Sequence, residues 1–187
     1  MSARLLAALL GLSLLATPLL AAAAPAIGGR FALTDQEGRA VTESVLRGQP
    51  TLLYFGFTSC PDVCPTDLVK LASVAATVKK RHSMAVRVVF ITVDPERDRP
   101  EVLKAYVNAF SPDFIGLTGT PEQIADVARQ YHVYYKKVPI GDKGAYTMDH
   151  STFVFLLDAR GRYAAHYGRK LTAEQLATAI GTALTAR

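Results

Sequence analysis

The chain has 187 residues, enough to bury a core without disulfide staples or a structural metal, and it carries only two cysteines. Half of the residues are hydrophobic and a fifth are charged, with no repeat or low-complexity tract, which excludes disordered, collagen-like and solenoid proteins. The net charge of +5 is scattered apart from Lys79-Lys80-Arg81, so it reads as a solvated basic surface and no nucleic-acid partner is expected.

Arg4 precedes an uncharged Leu- and Ala-rich run from Leu5 to Leu20, broken by Pro18 and followed by Ala21 to Ala24. This is the positive, apolar, small-residue order of an export signal. Residues 1–24 are therefore expected to be a signal peptide, cleaved after Ala23, or an uncleaved N-terminal membrane anchor of about the 20 residues a spanning helix needs. Either way residues 25–187 form a domain outside the cytosol, where thiols tend to be oxidised unless a metal or a dedicated system holds them otherwise.

Phe31-Ala32-Leu33, a polar turn at Asp35 to Gly38, and Ala40-Val41 predict a short N-terminal β-hairpin. Thr51 to Phe57 is almost continuously apolar, the pattern of a strand buried on both faces. Leu68, Leu71, Ala72, Ala75 and Val78 follow at helical spacing, Val86 to Val93 is a second buried strand, and helices opened by proline run from Pro100 to Phe110 and from Pro121 to Tyr131. Thr152 to Leu157 is a third strand, Asp158 to Gly161 a turn, Arg162 to Tyr167 the partner strand, and Thr172 to Leu184 a closing helix with a capping box from Thr172 and Gln175. The order predicts an α/β sandwich with a mixed central sheet flanked by helices.

Both cysteines lie in Phe57-Thr58-Ser59-Cys60-Pro61-Asp62-Val63-Cys64-Pro65, directly after the first buried strand and at the start of a helix. The carboxyl ends of strands are where α/β sheets carry their sites. Pro65 suits the first turn of the helix, and the positive helix terminus is expected to make both thiols more acidic than free cysteine. The spacing is one residue wider than the C-x-x-C of common dithiol oxidoreductases. Two soft thiolates suit Cu(I), and an added imidazole accommodates Cu(II), which directs attention to the histidines.

His82 reads as surface, His132 as an aromatic neighbour within YHVYY, and His166 as part of an outer strand with no chemical neighbour. His150 differs, since it opens the strand STFVFLL and follows Asp149, a carboxylate placed to orient the ring. In the acidic segment from Val93 to Asp98, Asp98 reads as the cap of the helix opened by Pro100. The alternative is that Asp94 and Asp98 lie by the cysteine loop and help to dock a partner or tune a metal. Met148 is either a thioether ligand or, as is commoner beside a strand, a core residue.

FGFTSCPDVCPTDL, VDPERDRPEVLKAYV and YTMDHSTFVFLLDARG, in this order and separation, resemble the Sco family of copper chaperones, called SenC or PrrC in bacteria. The resemblance runs from about Phe31 to the closing helix. It implies a thioredoxin-like fold with an inserted hairpin, a periplasmic location, soluble or anchored to the inner membrane, and copper bound by Cys60, Cys64 and His150. It also implies work on the dinuclear copper site of cytochrome c oxidase subunit II, by delivering copper, by reducing that site's cysteines, or both. A periplasmic copper donor and a thiol reductant would be further partners.

The rival reading is a thiol-disulfide oxidoreductase in which Cys60 attacks and Cys64 resolves, with no metal role. A thiol peroxidase on the same kind of fold is disfavoured, because Leu53 and Phe57 stand where such a site carries proline and threonine.

Overall fold

A computed structural model of the protein describes residues 26–141 and 144–186; the expected export segment, residues 1–24, lies outside them. Among the described residues no helix is long and apolar enough to cross a membrane.

The chain begins with a hairpin of β1 (Ala32–Asp35) and β2 (Ala40–Thr42), followed by a 3-10 turn and then β3 (Thr51–Gly56), all six residues of which are buried. α1 (Val63–His82), β4 (Arg87–Thr92), α2 (Pro100–Asn108) and β5 (Ile115–Thr118) complete two parallel crossovers, so that β3, β4 and β5 run side by side. α3 (Pro121–Gln130) leads to a hairpin of β6 (Tyr135–Ile140) and β7 (Ala145–His150), after which β8 (Val154–Leu157), β9 (Tyr163–Tyr167) and α4 (Ala173–Thr185) close the fold. The main sheet has the order β2-β1-β5-β4-β3-β8-β9, with β8 antiparallel to β3, and β6 and β7 form a separate two-stranded sheet.

Alternation along the central strands divides the core into two layers. Tyr54 and Phe90 lie on the side of α1 and α2, where Phe90 meets Tyr106 and the Tyr54 hydroxyl donates to Asp67. Phe55 and Phe155 lie on the other side, against Tyr131 at the end of α3. α1 packs along α4, whose Gly181 lies under the His82 ring. The capping box of Thr172 and Gln175 forms as expected, and Thr120 with Gln123 forms a second one that the sequence reading passed over.

The mixed sheet, the flanking helices and both hairpins agree with the expected architecture. Three strands, β5, β6 and β7, went unplaced by sequence. β5 is four residues long and includes Gly116, at which an added Cβ would lie 3.2 Å from Val107 and 3.3 Å from Leu103 of α2. Glycine is needed there for close packing, but it weakens the strand pattern. β6 is exposed over most of its length and contains Lys136, Lys137 and Pro139, so no buried face marks it.

Candidate metal centre

β3 ends at Gly56, and the chain turns through Phe57 to Asp62 before α1 begins. The amide of Cys60 donates to the Phe57 carbonyl at 3.3 Å, and the amide of Cys64, in the first turn of α1, donates to Cys60 Sγ at 3.4 Å. Both thiols are free; Cys60 is 8% exposed and Cys64 fully buried. A Cβ on Gly56 would stand 2.9 Å from Cys64 Sγ and 2.8 Å from the Phe90 ring, so the absence of a side chain there makes room for the sulfur.

His150 is the last residue of β7, rather than the opening residue of the buried strand as the sequence suggested; β8 starts only at Val154. The hairpin therefore delivers it. Tyr146, Met148 and His150 share one face of β7, and Met148 is buried in the core. His150 Nδ1 donates to the Ser151 carbonyl at 3.0 Å, which leaves Nε2 as an acceptor facing Cys64 Sγ at 3.5 Å. The ring stands edge-on to Phe57 and Tyr54. One ligand atom from each of Cys60, Cys64 and His150 lies within 4.8 Å of the others, the one such cluster among the described residues.

The electrostatics depart from expectation at Cys64. Burial pushes its thiol up, with the neighbouring Cys60 contributing, whereas the helix terminus was expected to lower it. The free amide at that terminus donates instead to Cys60 Sγ, on the more accessible side of the pair. Burial lowers the pKa of His150, opposed by the Ser151 carbonyl and by Asp149, and so favours neutral imidazole.

The second-tier residues fall apart by position. Asp149 does not orient the His150 ring: its side chain is exposed, it pairs across the hairpin with Lys136, and the Ser151 carbonyl takes the orienting bond. Alternation sends residue 149 to the face opposite residue 150. Asp98 does not cap α2, where Arg99 occupies the N-cap. Fully buried, it accepts from the Thr58 amide at 2.9 Å, the Thr58 hydroxyl at 2.6 Å and the Thr92 hydroxyl at 2.6 Å. It thus ties the cysteine loop to β4. Burial raises its pKa against those three bonds. Asp94 accepts from Arg97 Nε and, at 2.9 Å, from the Tyr146 hydroxyl, which connects it to the hairpin.

The remaining histidines lie elsewhere. His82 and His132 are exposed, the latter with φ 54°. His166 has chemical neighbours after all, with Nδ1 2.7 Å from the Tyr163 hydroxyl and its ring against Phe153. Sequence reasoning missed Asp67, buried one turn after Cys64 and bonded to Tyr54 at 3.0 Å and Arg169 at 3.0 Å. The signal was visible, since Asp67 interrupts the apolar stripe of α1 beside Leu68 and Leu71. Arg97 was also missed.

Residues 21–185 match the SCO1/SenC family model. An SCO2-like protein of Rickettsia prowazekii is 45% identical over 151 residues, covering 80% of this chain and 73% of the relative. The crystal structure of Arabidopsis thaliana ScoI with copper bound is similar with a TM-score of 0.84 and 42% identity, over 87% of this chain and all of that one. The structure of Bradyrhizobium japonicum ScoI with copper bound gives 0.75 and 47%, over 85% of this chain and all of that one.

Two outcomes follow from the geometry. Asp98→Asn replaces an acceptor of three bonds with a group that must turn an amide donor toward other donors, and it lowers the unfolding free energy in denaturant titration by about 1–3 kcal/mol. In the metal-free protein the His150 imidazole titrates below the 6.5 of a free ring, as read from its NMR shifts between pH 4 and 8. A midpoint above 6.5 would contradict the burial argument.

Proposed function

The chain belongs to the SCO1/SenC family, and from that premise we propose that it is an exported copper chaperone of cytochrome c oxidase assembly. It holds copper between Cys60 Sγ, Cys64 Sγ and His150 Nε2. The carrying observation is the convergence of these three donors from separate parts of the fold, the cysteine loop with the head of α1 and the end of β7, within 4.8 Å. The donor set fits the metal, because two thiolates are suited to Cu(I) and the imidazole extends the site to Cu(II). The copper-bound relatives support the same reading.

The copper is cargo. Three protein donors leave room for a further ligand, so an acceptor's thiolate or imidazole enters before the donor's own ligands leave. Cys60, with more exposure than Cys64, is the side from which that exchange starts. The acceptor is the dinuclear copper site of cytochrome c oxidase subunit II, reached in the periplasm by a domain released by signal cleavage or tethered by residues 1–24. Reduction of that site's cysteines by the Cys60/Cys64 dithiol is the companion activity, and a periplasmic copper donor and a thiol reductant supply the two.

A thiol-disulfide oxidoreductase without a metal role uses the same cysteines but assigns nothing to His150, whose tautomer is fixed with Nε2 toward Cys64. The proposal is tested by copper stoichiometry and visible absorption. The reduced protein is expected to bind one copper, with a sulfur-to-Cu(II) charge-transfer band that His150→Ala loses and Cys60→Ser alters. Equal Cu(II) binding by the wild type and His150→Ala, or none by either, would hand the function to the oxidoreductase.

A further inference from the structure

His150 and the cysteines reach one point from parts of the fold that share no β-ladder. Among the described residues, the β6–β7 hairpin is hydrogen-bonded to no strand of the main sheet. At its base the Ser151 amide donates to the Tyr134 carbonyl at 2.9 Å, and the Tyr134 amide donates to the Ser151 hydroxyl at 3.1 Å, which closes the hairpin on itself. Something else must set its position over the cysteine loop.

The segment 93–99, between β4 and α2, meets both halves of the site. Asp98 holds Thr58, two residues before Cys60. Arg97, its neighbour, holds the hairpin. Its Nη1 donates to the Tyr146 carbonyl at 3.0 Å, and its Cζ lies 3.8 Å from the centre of the Tyr146 ring. Nε is bound by Asp94, which also accepts from the Tyr146 hydroxyl, so the guanidinium is fixed in orientation from both sides. The same guanidinium lies 5.9 Å from the Phe57 ring, and Phe57 in turn meets the His150 ring at 5.8 Å. Tyr146 and His150 are on the same face of one strand, four residues or about 13 Å apart. A shift of β7 at Tyr146 is therefore felt at His150.

Resting on the copper reading above, we propose that Arg97 is a positioning residue that keeps His150 within ligand reach of the cysteine pair, and thereby determines how strongly the site prefers Cu(II). Cu(I) is satisfied by the two thiolates and draws little on the imidazole. Cu(II) retention depends on it. Arg97 is not one of the three donors, and it acts through Tyr146 and Phe57. A lysine in its place keeps the charge but loses the planar fork that binds the Tyr146 carbonyl and the Asp94 carboxylate together while lying over the ring.

The test compares wild type, Arg97→Gln and Arg97→Lys as full chains. Cu(II) affinity is read from the charge-transfer band and Cu(I) affinity from competition with a chromophoric chelator. Both variants are expected to lose about 10-fold to 100-fold in Cu(II) affinity, the range for outer partners of metal ligands, and to keep Cu(I) affinity within a few-fold. A merely structural loss would lower both together. Tyr146→Leu removes the stacking partner from the other side and is expected to show the same split, which keeps the test open if an Arg97 variant fails to fold. Parallel losses for the two oxidation states, or no loss of Cu(II), overturn the role of Arg97 while leaving the copper site standing. A wild type that binds neither ion overturns the copper reading itself and this role with it.

Discussion

The buried Asp98 carboxylate is the interaction on which the site depends. It takes three hydrogen bonds, two from Thr58 in the cysteine loop and one from Thr92 at the end of β4, and it is fully buried. A carboxylate kept out of water is tolerated only when its oxygens are satisfied by donors, and here those donors are the loop that must be held. Folding the core thus places Cys60 and Cys64. The position of Cys64 is restricted further by Gly56, since any side chain there would occupy the volume of the sulfur.

The second half of the site is assembled on the same segment. Asp94 and Arg97 engage Tyr146, and β7 carries His150 from there to the cysteines. One short connection between β4 and α2 therefore holds the loop bearing the thiols and the hairpin bearing the imidazole. This arrangement differs from a centre built on a single rigid element. The cysteines belong to the core of the sheet and helix, while the histidine belongs to a two-stranded appendage held by the buried Met148 and by a few polar and cation-π contacts. Such a division suits a site that must hold a metal and also give it up.

Much of the fold was legible because its signals are strong and local. Buried parallel strands read as apolar runs, α2 and α3 announce themselves with Pro100 and Pro121, and α4 with a capping box. The cysteines were placed correctly at the carboxyl end of β3, and His150 was singled out by its neighbours. The errors have different causes: the one at Asp98 depends on a partner distant in sequence, the one at Asp149 on strand alternation, and the one at Cys64 on burial. Asp98 looked like a helix cap because Pro100 follows it, and only the fold brings Thr58 to its carboxylate. Asp149 looked like the partner of His150 because it is adjacent, yet strand alternation sends it to the opposite face. The acidity expected for Cys64 from the helix terminus gave way to its complete burial, which sequence spacing does not report.

The most direct test of the account is X-ray absorption at the copper edge of the full chain loaded with Cu(II). The account predicts a first coordination sphere with two sulfur scatterers and an imidazole nitrogen, and loss of the imidazole signature alone in His150→Ala. A sphere of oxygen and nitrogen without sulfur, or one unchanged by the substitution, would contradict it.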